Sequence, residues 1–221
     1  MSDAMFAGVG ERPRNVQGQP YYSRSNRLFY RVVKRLTDIS ISLTLLPLLA
    51  FICASVWVLN KRLNYGPLFY TQKRMGRNCR PIYVIKLRTM LVERRTVRRV
   101  NDPLEHDRIR PFGRFLRKLR LDELPQILNV LRGDMSLIGP RPDTWDHARE
   151  FIELIPEYPQ RHTIKPGISG LAQTKNGYAE GIEATRAKVH SDLEYIRRAS
   201  LGFDLWLIWR TLVTVVKAEG I

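Results

Sequence analysis

Residues Ile39 to Leu59 (ISISLTLLPLLAFICASVWVL) carry no charge over 21 positions. As a helix that run covers roughly 31 Å, close to a bilayer core. It predicts a membrane helix; an ordinary buried helix is the alternative. The run starts too late and is too long for a cleaved signal peptide, and no A-x-A-like site follows it. Pro47 sits near its middle, where it removes a helix hydrogen bond and bends the axis. Arg27, Arg31, Lys34 and Arg35 precede the run, and Lys61 and Arg62 follow it. A single pass concentrates its basic residues on one side. Basic flanks at both ends, with a central proline, predict a re-entrant helix that returns to the face it left. A straight span kinked at Pro47 is the alternative.

Before the run, RLFYRVVKRLTD (27–38) alternates apolar and basic positions at helical spacing, as an interfacial lead-in does. Residues 1 to about 25 are polar and read as a mobile tail. After the run, Gly66-Pro67 breaks the helix. LFYTQKR and PIYVIKLRT, linked by MGRNCR, predict a β-hairpin. Residues 91–111 are strongly charged and read as a loop or broken helix. FGRFLRKLRL, from Phe112, returns to helical spacing. In LDELPQILNVLRG, Asp122 suits an N-cap, Pro125 a first turn and Gly133 a C′ position, which predicts a helix at about 123–132. GDMSLIGPRPD reads as a turn-rich connector. Further helices are predicted near 144–155 and 181–199. The last, 203–217, is apolar nearly all round with Trp206 and Trp209, and suits either a membrane interface or a core. No internal repeat is present.

Composition narrows the partners. The chain has 221 residues, 44% of them hydrophobic, enough for one domain with a core. Lys and Arg outnumber Asp and Glu by 37 to 21, a net charge of +16. That excess predicts an anionic partner: nucleic acid, an anionic membrane surface, or a phosphorylated substrate. Cys53 and Cys79 form no CxxC or Cys/His cluster, so neither a disulfide framework nor a zinc site is expected, and a reducing compartment fits.

The candidate chemistry lies at Asp122–Glu123. Adjacent carboxylates at a helix start are favoured by backbone N–H groups, and the same place attracts phosphate. Arg114, Arg117, Lys118 and Arg120 precede the pair; Arg132 and Arg141 follow it. Nearby cations favour the ionised carboxylate, which can act as nucleophile or metal ligand. Spacing alone reads first as a helix cap.

The wording of the sequence adds more. Arg114 to Pro142, RFLRKLRLDELPQILNVLRGDMSLIGPRP, resembles the signature of the bacterial sugar transferase family, the monotopic phosphoglycosyl transferases. KRLTD at 34–38, GPLFYTQKRMG at 66–76, KLRTM at 86–90 and KPGISGLAQ at 165–173 match in the same order. The resemblance covers about residues 30 to 217. It implies an α+β fold: a tail at 1–26, a kinked re-entrant membrane helix at 27–62, and a small cytoplasmic catalytic domain at 63–221 with the hairpin and interfacial amphipathic helices. It also implies that a nucleoside diphosphate sugar, UDP-linked by analogy, gives its sugar phosphate to an aspartate and then to polyprenyl phosphate. On that pattern Asp122 is the nucleophile and Glu123 its partner, holding Mg²⁺ or orienting groups. Lys86, Arg88, Arg117, Arg141 and Lys165 would contact phosphates or nucleotide. Lys34, Arg35 and Asp38 would brace the membrane helix around Pro47. The implied setting is the bacterial inner membrane at its cytoplasmic face, with anionic lipids as partners and no nucleic acid. The aromatic C-terminal helix could pack on a second copy, giving a homodimer, or on lipid.

Three positions depart from the pattern. Leu46 precedes Pro47 where many members carry serine. Arg120 replaces a small hydroxyl residue. TKNGYAEG (174–181) stands where VNGR is common, in a loop tied to sugar and nucleotide recognition. The multi-span N-terminal region of longer relatives is not part of this sequence, which reads as a minimal catalytic unit. The rival reading is a membrane-anchored basic module that binds anionic lipid or nucleic acid without catalysis.

Overall fold

A computed structural model describes residues 28–64, 66–91, 109–176 and 181–216. The tail at 1–25, nearly all of the charged 91–111 stretch and part of the 174–181 loop lie outside the described residues.

Helix α1 (Leu28–Leu63) takes in both the basic lead-in and the apolar run, continuous through Pro47. It is long and apolar enough to cross a membrane. From Asp38 onward its buried positions, Asp38, Ser42, Leu49, Ile52, Val56 and Asn60, form one stripe at spacings of three, four and seven. The opposite face stays exposed, with Leu36, Leu43, Phe51, Trp57 and Val58 uncovered.

The predicted hairpin is present. Strands β1 (Phe69–Met75) and β2 (Pro81–Leu87) pair antiparallel, with Tyr70 opposite Lys86. The link needs left-handed backbone at Asn78 (φ 56°) and Cys79 (φ 55°). Asparagine tolerates that conformation; cysteine seldom adopts it.

Helix α2 (Pro111–Lys118) starts on Pro111. A short 3₁₀ turn, Leu121–Glu123, and helix α3 (Gln126–Arg132) follow. The continuous helix expected at 123–132, capped by Asp122, is therefore corrected: the α-helix begins three residues later and Asp122 lies inside the 3₁₀ turn. Pro125 has no N–H to return to Leu121, so the ladder cannot run through it. The turn closes instead by i→i+3 bonds, from Glu123 N–H to Arg120 O at 3.1 Å and from Leu124 N–H to Leu121 O at 3.3 Å. Gly133, at φ 92°, ends α3 as expected and donates to Asn129 O and Val130 O.

The connector after Gly133 also needs correction. It contains strand β3 (Ser136–Ile138), paired parallel with β4 (Gly167–Ser169). Helix α4 (Trp145–Leu154) and a 3₁₀ segment (Tyr158–Thr163) make the crossover. Gly139 and Gly167 let the two backbones approach so closely that a Cβ on either would collide with main chain. Helices α5 (Leu171–Asn176), α6 (Ile182–Arg198) and α7 (Leu201–Val216) complete the chain. The main core gathers Met75, Phe151, Ile155, Tyr158, Leu193, Tyr195, Ile196 and Leu207. A second cluster packs Ile52 and Val56 of α1 against Leu87 and Leu116.

Helix α1 is fastened to this body at both ends. Near its start, Arg35 donates to Val130 O and Leu131 O, a cation at the C-terminus of α3. Asp38 accepts the Leu137 N–H at 3.1 Å. Lys34 and Tyr30 both reach Asp204 of α7, at 2.9 and 2.7 Å. Just past its end, Asn64 donates to Arg88 O, and Arg88 returns bonds to Asn64. Cys53 and Cys79 are free thiols.

Candidate active site

Asp122 and Glu123 are each only 8% exposed. The turn that carries them is entered through Arg120, a non-glycine residue in the left-handed region at φ 54°. Such backbone costs on the order of 1 kcal/mol and tends to mark functional turns.

The neighbouring carboxylates have opposite surroundings. Glu123 is held by two cations: Lys86 Nζ lies 3.1 Å from Oε1, and Arg141 donates from Nη1 to Oε2 at 3.0 Å and from Nη2 to Oε1. That two-point contact is the planar fork binding expected of arginine. Burial opposes ionisation of Glu123, but Arg141 and Lys86 outweigh it and hold the carboxyl far below its usual range. Asp122 accepts no hydrogen bond among the described residues. Burial first, and then the charge of Glu123, push it up to about 6 against the pull of Lys86, Arg117 and Arg141. Lys86 is itself lowered to about 8 by burial, with Glu123 opposing and Arg74 and Arg141 adding to the fall.

The remaining sequence candidates separate into two groups. Lys86 comes from β2, and Arg141 from the stiff Gly139–Pro142 loop; both meet at Glu123. Arg117 of α2 faces Asp122 and bonds Thr89 Oγ1 through Nε at 2.9 Å. Arg88 lies outside this cluster: its guanidinium donates to the carbonyls of Asn64, Pro67 and Met90 and to Asn64 Oδ1. It closes the end of α1, with four of its five N–H donors committed there. Lys165 sits against Gly133 beside Arg35; burial, with Arg35 and Arg77 nearby, lowers it. Lys34, Arg35 and Asp38 bind the α1 junction described above, and Pro47 lies within α1.

Glu123, expected to hold Mg²⁺ or to orient groups, is engaged by two protein cations: both of its oxygens receive donors from Lys86 and Arg141. A Mg²⁺ ion, which needs only one or two carboxylates besides phosphate oxygens, would have to share Glu123 with them.

Sequence reasoning missed a buried ionic network behind the Arg141 loop. Arg161 bonds Asp192 through Nε at 2.9 Å and pairs with Asp143; Asp143 also receives Lys188 and, at 2.7 Å, the Tyr158 hydroxyl. Arg161 Nη2 also donates to Arg141 O at 2.7 Å. No local pattern announces these partners, which lie 15 to 45 residues apart. Asn129 was missed too, although a polar residue amid Ile127, Leu128, Val130 and Leu131 was a visible anomaly.

A family model described as bacterial sugar transferase matches residues 29–218. The chain is 38% identical over 193 residues to a UDP-N-acetylgalactosamine-undecaprenyl-phosphate N-acetylgalactosaminephosphotransferase of Aeromonas hydrophila, covering 86% of this chain and 45% of that protein. It is 36% identical over 208 residues to a UDP-glucose:undecaprenyl-phosphate glucose-1-phosphate transferase of Escherichia coli (strain K12), covering 91% and 44%. Against an exopolysaccharide production protein PSS of Rhizobium leguminosarum bv. phaseoli it is 39% identical over 189 residues, covering 83% and 94%. The chain thus spans less than half the length of the first two relatives and nearly all of the third.

Proposed function

The chain belongs to the bacterial sugar transferase family, and from that premise we propose that it transfers a sugar-1-phosphate from a nucleoside diphosphate sugar to polyprenyl phosphate through a covalent intermediate on Asp122. The observation that carries this reading is the contrast within the acidic pair. Glu123 is held by Lys86 and Arg141, whereas Asp122 is buried, raised toward neutrality and accepts no hydrogen bond among the described residues, which leaves its lone pairs available for attack.

In the first step an Asp122 oxygen forms a bond to the sugar-bearing phosphorus. The bond from that phosphorus to the bridging oxygen breaks, and the nucleoside monophosphate leaves with the electron pair. In the second step an oxygen of polyprenyl phosphate attacks the same phosphorus, the bond to Asp122 breaks, and the carboxylate is restored. Lys86, Arg117 and Arg141 surround the reacting charge in a site that excludes most water, where fixed cations act most strongly. The uridine donors in the names of the relatives support a UDP-sugar here.

Helix α1 supplies the membrane attachment, at the cytoplasmic face of the inner membrane. Its two ends are bonded to one folded body, through Arg35 and Asp38 at the start and Asn64 at the end. A straight pass would separate them by about 30 Å of hydrocarbon. That arrangement supports re-entry around Pro47. Cysteine labelling from the two sides of the membrane tests it: both ends should label from one side, and labelling from opposite sides would overturn re-entry.

The reaction is tested by measuring nucleoside monophosphate release from a panel of UDP-sugars with polyprenyl phosphate, and by trapping the phosphosugar adduct on Asp122. Release together with an adduct lost in Asp122→Asn is expected. Lipid binding without release across the panel would favour a non-catalytic basic module.

A further inference from the structure

Asn129 is completely buried in α3. Its side-chain amide does not bond within its own helix. Oδ1 accepts the Ile85 N–H at 3.0 Å, and Nδ2 donates to Tyr83 O at 2.7 Å. Among the described residues, strand β2 pairs with β1 along one edge only. Asn129 thus fills part of the other edge, using one donor and one acceptor as a neighbouring strand would. The next residue along β2 is Lys86. The main-chain carbonyl of Asn129 has a second task. It accepts the N–H groups of Gly133, Asp134 and Met135, at 3.1, 3.0 and 3.3 Å. Those three bonds shape the turn into β3, which leads directly to the Arg141 loop.

The geometry points to Asn129 as the positioning residue that sets the register of Lys86 on Glu123. Its side chain fixes the strand that carries Lys86. It lies six positions after Glu123, in the helix that follows the 3₁₀ turn. Asn129 touches neither substrate nor the reacting atoms; it acts through Lys86. This assignment rests on the transferase reading for its catalytic consequence, and on hydrogen bonds alone for its structural one.

The test uses the full chain in detergent, with Asn129→Ala, Asn129→Asp and, as a stability-matched control, Leu193→Ala in the main core. Asn129→Asp keeps the acceptor for Ile85 and loses the donor to Tyr83. Two readouts are taken: the rate at which an acylating reagent modifies the Lys86 amine, followed by mass spectrometry, and kcat and KM for the donor. In both Asn129 variants Lys86 should be modified several-fold faster than in wild type or Leu193→Ala. Their kcat should fall by about 10²-fold, with KM within about twofold, as misplacement of groups acting in the transition state requires. Lys86 modification at the wild-type rate in Asn129→Ala would overturn the assignment. So would an equal kcat loss in Leu193→Ala at matched Tm. If wild type releases no nucleoside monophosphate, the transferase reading fails separately, and the Lys86 modification rates alone decide for or against Asn129.

Discussion

Arg161, whose side chain has no exposed surface, donates from Nη2 to the main-chain carbonyl of Arg141 at 2.7 Å. The same guanidinium pairs with Asp143 and Asp192. The loop that brings Arg141 to Glu123 is therefore held from behind by an ion network whose central pair, Arg161 and Asp192, is shut off from solvent. Removing Arg161 would take the hydrogen-bonded cation from the buried Asp192 and leave Asp143 with Lys188 and Tyr158 alone. Arg161→Leu is expected to cost about 3–5 kcal/mol, read as a loss of Tm in detergent, with transfer activity lost in step. Wild-type Tm in that variant would contradict the network's role.

Asp122→Asn should separate activity from stability. Burial and Glu123 raise the Asp122 carboxyl from its ordinary 3.8 to about 6. A carboxyl raised on folding binds its proton more tightly in the native state. Stability is therefore lost as pH rises from about 4 to about 6, and the loss persists at neutral pH. At 1.36 kcal/mol per pH unit that cost is about 2–3 kcal/mol. Asp122→Asn removes it, so Tm at pH 7 should rise while transfer and the trapped adduct disappear. An unchanged Tm at pH 7 would mean that ionised Asp122 is not strained by its surroundings.

Activity should be bell-shaped in pH. Attack requires ionised Asp122, so the rate falls as pH drops through about 6. Lys86 must remain charged, so the rate falls again as pH rises through about 8. Lys86→Arg should remove the alkaline limb and leave the acid limb in place, because a guanidinium keeps its proton there. An alkaline limb that persists in Lys86→Arg belongs to another group.

Glu123→Gln should shift the acid limb to lower pH. The charge of Glu123 is one cause of the raised Asp122 carboxyl, so its removal lets Asp122 ionise more readily. The same change leaves Lys86 and Arg141 without their shared anion, a loss of about 3–5 kcal/mol for a broken buried pair. A pH–rate profile and a thermal melt on the same preparation check both. An acid limb that moved upward would reverse the electrostatic account of the pair.

Long or locally punctuated elements were legible in the sequence. The apolar run announced α1, and the Gly/Asn-bearing link between two β-rich runs announced the hairpin. Gly133 marked the end of α3. β3 and β4 were not legible, because three residues are too few to display a strand's alternation. Within the acidic pair, residue type identified the candidates, but only tertiary contacts distinguish them. Nothing local states that Glu123 is clamped by residues 37 positions before and 18 positions after it, while Asp122 is left open. Arg88 shows the reverse: a cation inside a promising motif that folding commits to backbone carbonyls at the end of α1.

The double fastening of α1 has a consequence for how a lipid meets the site. If α1 seats in a bilayer as proposed, its two fastened ends would hold the Asp122 carboxylate at a fixed height above the hydrocarbon. A lipid-borne acceptor would then have no vertical search to make. It would meet the carboxylate by lateral drift alone, in two dimensions, while a water-soluble donor arrived from the third.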